Sequence, residues 1–455
     1  MNPLYVKSMQ PVIDRLYTAR IALLIAFILA GNSGSVGQPL LSLDDAIKTG
    51  LESNFGIRIV RNEENIAMNN NTAGNAGFLP EISLTAGYET SVRHADVRVV
   101  SGTELNENAA GTNWVDAGVF LNWTLFDGMN MFVNRNRLAT LEQMGELEVR
   151  IAMEKTLSRI IIIYHDIVRN QMMENVLREQ VGLSRERTRI AETRSSIGAA
   201  SELEYLRAQV DLNADESALI QQQAYTENAR IALNELLARD AATAFQVEDT
   251  ILIQESLDIK ALTDYCLRSN TELQKERYTT ELNHLDLKSM QGVRYPVLTL
   301  RSGYNFVENE TEASFIEYNR QLGPYIGLSL DFILFNGMNR TREVTNARIN
   351  IENAQLREEE LQLNLVAILN QFFNQYTSEL RVIALEEQNL VLAQKNMDIA
   401  GESYRIGSLS SIELREVQEN LLEASSRMIK ALFRVKIQET ELLRLSGILL
   451  PEGIK

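Results

Sequence analysis

Leu125-Phe126-Asp127-Gly128-Met129-Asn130 returns 209 residues later as Leu334-Phe335-Asn336-Gly337-Met338-Asn339. Upstream of it, Phe78-Leu79-Pro80-Glu81-Ile82-Ser83-Leu84 is echoed by Arg294-Tyr295-Pro296-Val297-Leu298-Thr299-Leu300 at an offset of 216, which also relates Asn54 to Asn270. Downstream, Ile197-Gly198 with Ser201 and Glu204 recurs as Ile406-Gly407 with Ser410 and Glu413, again at 209. Three ordered matches make the chain one unit written twice. The offset changes between residues 89 and 117, where Gly102, Asn106, Asn108, Gly111 and Asn113 predict a loop that tolerates length change. Each unit reads as helix, strand, loop, strand, very long helix, turn, helix. The first occupies 38–248, with strands at 81–92 and 115–126. The second occupies 249–448, with strands at 297–307 and 325–334, and 449–455 is a tail.

The strands alternate. Ile82, Leu84, Ala86 and Tyr88 fall on one face; so do Val115, Ala117, Val119, Leu121 and Trp123; so do Leu298, Leu300, Tyr304 and Phe306, then Ile326, Leu328, Leu330 and Phe332. Period two with one apolar face is a half-buried strand, and about ten residues suit a tilted membrane strand. Four strands cannot close a barrel, and lipid tolerates no open sheet edge, so several chains must contribute strands. A soluble sandwich is the plainer alternative, but four strands do not fill a two-sheet core.

Between Met129 and Thr193 there is no proline, and from Met338 to Tyr404 again none. At 1.5 Å per residue each stretch makes a helix of roughly 100 Å, longer than any compact domain needs. Apolar residues at mixed three- and four-residue spacing predict packing against neighbours on two sides. Gly198 and Gly407 mark turns between helices, and Ser201/Glu204 and Ser410/Glu413 are capping-box patterns that start the shorter return helices.

The 455 residues carry a formal net charge of −17, with no basic patch to neutralise phosphates, so nucleic acid is excluded as a partner. Arg15 and Arg20 precede an apolar run from Ile21 to Ala30 and the small-residue stretch Ser35-Val36-Gly37, the pattern of an export signal over residues 1–37 with cleavage before Gln38. His94, His165 and His284 have no companion at metal-ligand spacing, and Cys266, the single cysteine, reads as a packing residue. No phosphate-binding glycine loop occurs. The reading is a chain with no catalytic residue, metal or cofactor, and not an enzyme.

On the repeated unit, the strand entrances Leu79-Pro80 and Tyr295-Pro296, the exits Leu125-Phe126-Asp127-Gly128 and Leu334-Phe335-Asn336-Gly337, and the tips Ile197-Gly198-Ala199 and Tyr404-Arg405-Ile406-Gly407-Ser408-Leu409, the chain resembles the TolC outer-membrane efflux family from about residue 41 to 448. The resemblance implies a membrane β-barrel plus a long α-helical barrel. Four strands per subunit would make a twelve-stranded homotrimer in outer-membrane lipid, with a helical column reaching across the periplasm. It also implies a periplasmic adaptor (membrane-fusion) protein at the tips, Ile197, Gly198, Ala199, Ile406, Gly407 and Ser408, linking to an inner-membrane pump or ATP-driven transporter. The family's constricting aspartates, six and nine residues past the second tip glycine, fall on Glu413 and Glu416. The first tip has Glu204 and Arg207 there, which makes Arg207 a candidate gate link or, as readily, a solvated arginine. Glu413 is equally a capping residue and Glu416 equally a solvated one. The leading function is the duct of a tripartite efflux system. Alternatives are the duct of a type I protein secretion system, which needs the same tunnel, and a non-conducting periplasm-spanning structural protein.

Overall fold

A computed structural model describes residues 39–98, 100–254, 256–312 and 314–450; the export signal expected over 1–37 and the last five residues of the tail lie outside them. Two copies of one motif follow each other. The first comprises α1 (Leu43–Ser53), α2 (Phe55–Asn70), β1 (Glu81–Arg98), β2 (Glu104–Asp127), α3 (Asn130–Ser196) and α4 (Glu202–Leu236). The second comprises α5 (Ile259–Ser269), α6 (Thr271–Gly292), β3 (Val297–Thr311), β4 (Tyr318–Asp331), α7 (Asn339–Arg405) and α8 (Ser411–Leu445). Helices α3 and α7 both have 67 residues, and α4 and α8 both have 35.

The repeated Gly-Met-Asn sequence turns each strand into its long helix. Gly128 and Met129 both take positive φ, as do Gly337 and Met338, and the following asparagine folds back: Asn130 Nδ2 donates to the Asp127 carbonyl (3.1 Å), Asn339 Nδ2 to that of Asn336 (2.8 Å). Two successive left-handed residues reverse the chain sharply, at a cost for the methionine that a glycine does not bear. Gly128 is doubly constrained, because a Cβ there would stand 2.1 Å from the Gly292 carbonyl oxygen.

Cores repeat as well. Ala46, Ile160, Ile167, Leu233 and Leu237 form the first, and Leu262, Leu369, Tyr376 and Leu442 the second, so that Ile160 and Leu369, or Leu233 and Leu442, occupy equivalent places. Full burial of such a side chain contributes about 1.5–3 kcal/mol. Cys266 stands where the first unit has Gly50, whose Cβ would collide with Ile160. It is fully buried and burial pushes its thiol up to about 11, which suits a packing residue. Of the two glycines inside α3, Gly145 lets the helix approach the backbone of Glu64 on α2, and the helix runs unbroken through both.

The sheet is an antiparallel meander in the order β1-β2-β3-β4. Its register puts Leu84, Val119 and Tyr304 in one row, and Ala86, Ala117, Phe306 and Leu322 in the next. That face is uncovered: Ile82, Leu84, Tyr88, Val92, Leu322, Ile326, Leu328 and Leu330 are each more than 60% exposed. The other face carries Ser83, Thr85, Gly87, Asn305 and Gln321, with the rings of Phe120 and Tyr325 meeting across Gly303 at 6.4 Å. No helix among the described residues is long and apolar enough to cross a membrane.

Two sequence expectations need correction here. The loop expected between 89 and 117 is mostly strand: β1 runs to Arg98, β2 starts at Glu104, and Asp96 faces Asn106 as Thr90 faces Asn113. Beyond Val92 both faces are wet, so main-chain pairing and the Arg98–Glu104 ion pair hold the hairpin while apolar alternation, the signal relied on, vanishes. The fourth strand, expected over 325–334, is Tyr318–Asp331. It begins earlier because Gln321, Gly323 and Pro324 pair with β3 despite breaking the pattern, Pro324 being tolerated on an edge strand. It stops earlier because Phe332–Phe335 have no strand beside them.

Candidate functional site

At the far end of the helical hairpins the two tip turns lie side by side. Each closes through a left-handed glycine, Gly198 (φ 75°) and Gly407 (φ 85°), with Ala199 N–H donating to the Arg194 carbonyl and Ser408 N–H to that of Ser403. That is the glycine-terminated helix end expected from sequence. Ile197 and Ile406 then project into solvent, 73% and 79% exposed, and Gly198, Ala199, Gly407 and Ser408 are exposed around them. All six tip residues are therefore available to a partner.

Arg194 ties the two turns together. Its Nη2 donates to the carbonyls of Tyr404 (2.5 Å) and Arg405 (3.3 Å), and its guanidinium lies 4.8 Å over the Tyr404 ring. Tyr404 is buried and its hydroxyl donates to Glu204 Oε1 at 3.4 Å. Here a cation satisfies orphan carbonyls at the C-terminus of α7, where the helix dipole favours it.

Glu413 completes the capping box of α8. The Ser410 N–H donates to its carboxylate (2.9 Å), and Ser410 Oγ accepts from the Glu413 N–H (3.2 Å). The Ser410 hydroxyl also donates to that carboxylate (2.7 Å), and this bond, with the one from the Ser410 N–H, holds the Glu413 carboxyl below the usual glutamate range. Glu416, one turn on, is exposed and makes no ion pair among the described residues. Arg207 is likewise exposed and unpaired there, although it lines the same shallow groove as Glu204, Glu416 and Glu419. Within one chain, then, Arg207 links nothing.

The arginines that do bridge elements are others, and sequence reasoning missed them. Arg415 on α8 donates to both oxygens of Asp215 on α4 (2.7 and 3.1 Å), and Asp215 also accepts from Ser184 Oγ on α3 (2.5 Å) and Gln180 Nε2 (3.3 Å). Arg187, fully buried, donates to Asp211 at 2.7 Å. The available signal was a break in the repeat: the positions equivalent to Arg415 and Asp215 are Leu206 and Ala424. A charge pair confined to one copy marks a contact the other copy does not make.

Among the described residues no group of three or more His, Cys, Asp or Glu could hold a metal ion. His165 is buried with Nδ1 against the Ile161 carbonyl at 2.7 Å, a packed helix residue.

Comparison with known proteins gives a consistent result. A family model described as outer membrane efflux protein matches residues 46–239 and 267–448. The outer membrane protein TolC of Vibrio cholerae is 19% identical over 84% of this chain and 85% of its own length. Among solved structures, the Campylobacter jejuni CmeC outer membrane channel superposes with a TM-score of 0.75 at 15% identity, covering 91% of this chain and 87% of that one. The outer-membrane channel OprN superposes with a TM-score of 0.73 at 16% identity over 89% of both chains.

Proposed function

Since the chain belongs to the outer membrane efflux protein family, we propose that it is the outer-membrane duct of a tripartite efflux system, a passive conduit for small molecules driven by an inner-membrane pump or transporter. Its place is the outer membrane, with the helical part in the periplasm, and it is a channel, not an enzyme. Three copies would close a twelve-stranded barrel, and the exposed tips would receive a periplasmic adaptor.

The observation that carries this reading is the sheet: four strands with an uncovered apolar face and two unpaired edges, joined to helices of roughly 100 Å that carry no membrane-spanning character. In water such a sheet exposes both its main-chain edges and its greasy face. In lipid the face is solvated by acyl chains, and only closure with further copies satisfies the edges. The polar inner face then lines a wet lumen. At the periplasmic mouth Glu413 and Glu416, three copies of each, would form an acidic constriction favouring cations. Single-channel recording of the purified oligomer in a planar bilayer tests the proposal. Discrete, cation-selective conductance is expected, and a verified closed oligomer that passes no current would overturn it.

A further inference from the structure

The internal repeat supplies a template for the contact between copies. Within one chain the first unit meets the second along three seams: β2 pairs with β3, and α3 packs against both α6 and α8. The equivalents of those seams, β4 with β1, and α7 with α2 and α4, are not packed within the chain, α7 touching α4 at the tip through Tyr404 and Glu204. The surfaces left over are apolar. Phe55, Ile59 and Ile66 on α2 and Leu356 and Leu363 on α7 are all more than half exposed, and Leu206 on α4 is nearly half exposed. After β4 the segment Phe332-Ile333-Leu334-Phe335 is exposed too, whereas its equivalent Trp123-Thr124-Leu125-Phe126 is strand held against β3.

Resting on the closed-oligomer reading above, in which β4 meets β1 of a second copy, we infer the register of that seam: it is the register of the β2–β3 ladder, setting Leu330 opposite Ala86 of its neighbour and drawing 332–336 into the strand. The template is direct. Leu121 faces Ser302 across β2–β3, and the repeat offsets of 209 and 216 carry that pair onto Leu330 and Ala86. Trp123 facing Leu300 becomes Phe332 facing Leu84, and the irregularity at Leu125 becomes one at Leu334, so Phe335 faces Ile82. Face chemistry agrees independently. Even-numbered residues are the apolar, exposed ones on both β1 and β4, so any register that keeps grease with grease must pair even with even. That rule alone leaves Leu330 opposite any even-numbered residue of β1, Leu84, Ala86 and Tyr88 among them, and the repeat selects Ala86.

The test is cysteine cross-linking in a Cys266→Ala background, on oligomer first verified by native mass in detergent. Facing strand residues have Cα atoms about 4.5–5.5 Å apart, within disulfide range. Leu330→Cys with Ala86→Cys, and separately Ile326→Cys with Thr90→Cys, should shift the chain to covalent oligomers on non-reducing gels. Leu330→Cys with Leu84→Cys or Tyr88→Cys should leave it at the single-chain position. Cross-linking only in those slipped pairs would overturn the register while the oligomer stands. A verified oligomer cross-linking at none of the four would overturn the β4–β1 pairing. A chain that stays monomeric in detergent and in bilayers would remove the closed-oligomer reading itself.

Discussion

The Asn270 side-chain amide donates to the Leu445 carbonyl at 2.9 Å, while its oxygen accepts from the Leu273 N–H, also at 2.9 Å. One asparagine thereby ends α5, starts α6 and seals the C-terminus of α8. Asn54 repeats the arrangement, donating to the Leu236 carbonyl (2.8 Å) and accepting from Ile57 (3.2 Å). Asn270→Ala would leave a buried carbonyl and a buried amide without partners, at about 1–3 kcal/mol. Its thermal midpoint should fall clearly below wild type, with Asn270→Asp, which keeps the cap but loses the donor, in between. An unchanged midpoint in Asn270→Ala would mean that neither bond matters to the fold.

Why Asn54 and Asn270 could be matched from sequence, and Arg415 with Asp215 could not, follows from where each works. The asparagines act within one turn of their own position, in a motif written twice, so their spacing is visible. The same holds for Gly128-Met129-Asn130 and Gly337-Met338-Asn339, whose left-handed turn is local chemistry. Arg415 and Asp215 lie 200 residues apart in chain order and meet only because α4 and α8 both pack on α3. The outer part of the β1–β2 hairpin escaped for another reason: with water on both faces, Asp96, Asn106 and Asn113 need not alternate with apolar residues. At the tips, Gly198 and Gly407 were legible as turns, but the residues joining the turns, Arg194 and Tyr404, belong to different copies of the unit.

Arg415 and Asp215 are 18% and 7% exposed at the side chain, so their ion pair is mostly shielded from water. Asp215→Ala strands the guanidinium and should cost about 3–5 kcal/mol, toward the lower figure because Arg415 keeps Glu419 as a second partner. Replacing both with the residues of the other repeat, Arg415→Leu with Asp215→Ala, removes the stranded charge and should recover much of that loss. Denaturation of both single variants and the double gives the coupling directly. Additive losses would mean the two side chains do not depend on each other.

At the mouth, Glu413 and Glu416 should separate experimentally. Glu416→Gln removes an exposed charge that caps nothing, so it should reduce cation selectivity in bilayer recordings with folding intact. Glu413→Ala should also loosen the start of α8. Because the Glu413 carboxyl is held below its ordinary value of 4.5, its capping contribution is fully present above that pH and fades as acid carries it through the lower folded value. Glu413→Gln should therefore abolish that acid-range change at the α8 N-terminus, read by hydrogen exchange at Ser410. Selectivity indifferent to both substitutions would remove the two carboxylates from the conduction path.

His165 predicts a second pH effect, at higher pH. It sits 4% exposed on α3, and burial, reinforced by the Lys436 charge, pushes its imidazole down to about 4 from an ordinary 6.5. Between those values the unfolded chain binds a proton the folded one refuses, so stability rises with pH across that window. Read downward, the protein is undiminished above about pH 6.5, loses stability as pH falls toward 4, and changes no further from this group below that. The total is about 3 kcal/mol at most. His165→Gln cannot take up the proton and should flatten that part of the stability profile in denaturant titrations at pH 7, 6 and 5. A wild-type slope that survives the substitution would assign the effect to other groups; it could not be Asp166, whose carboxyl burial raises, because such a group stabilises the fold as pH falls.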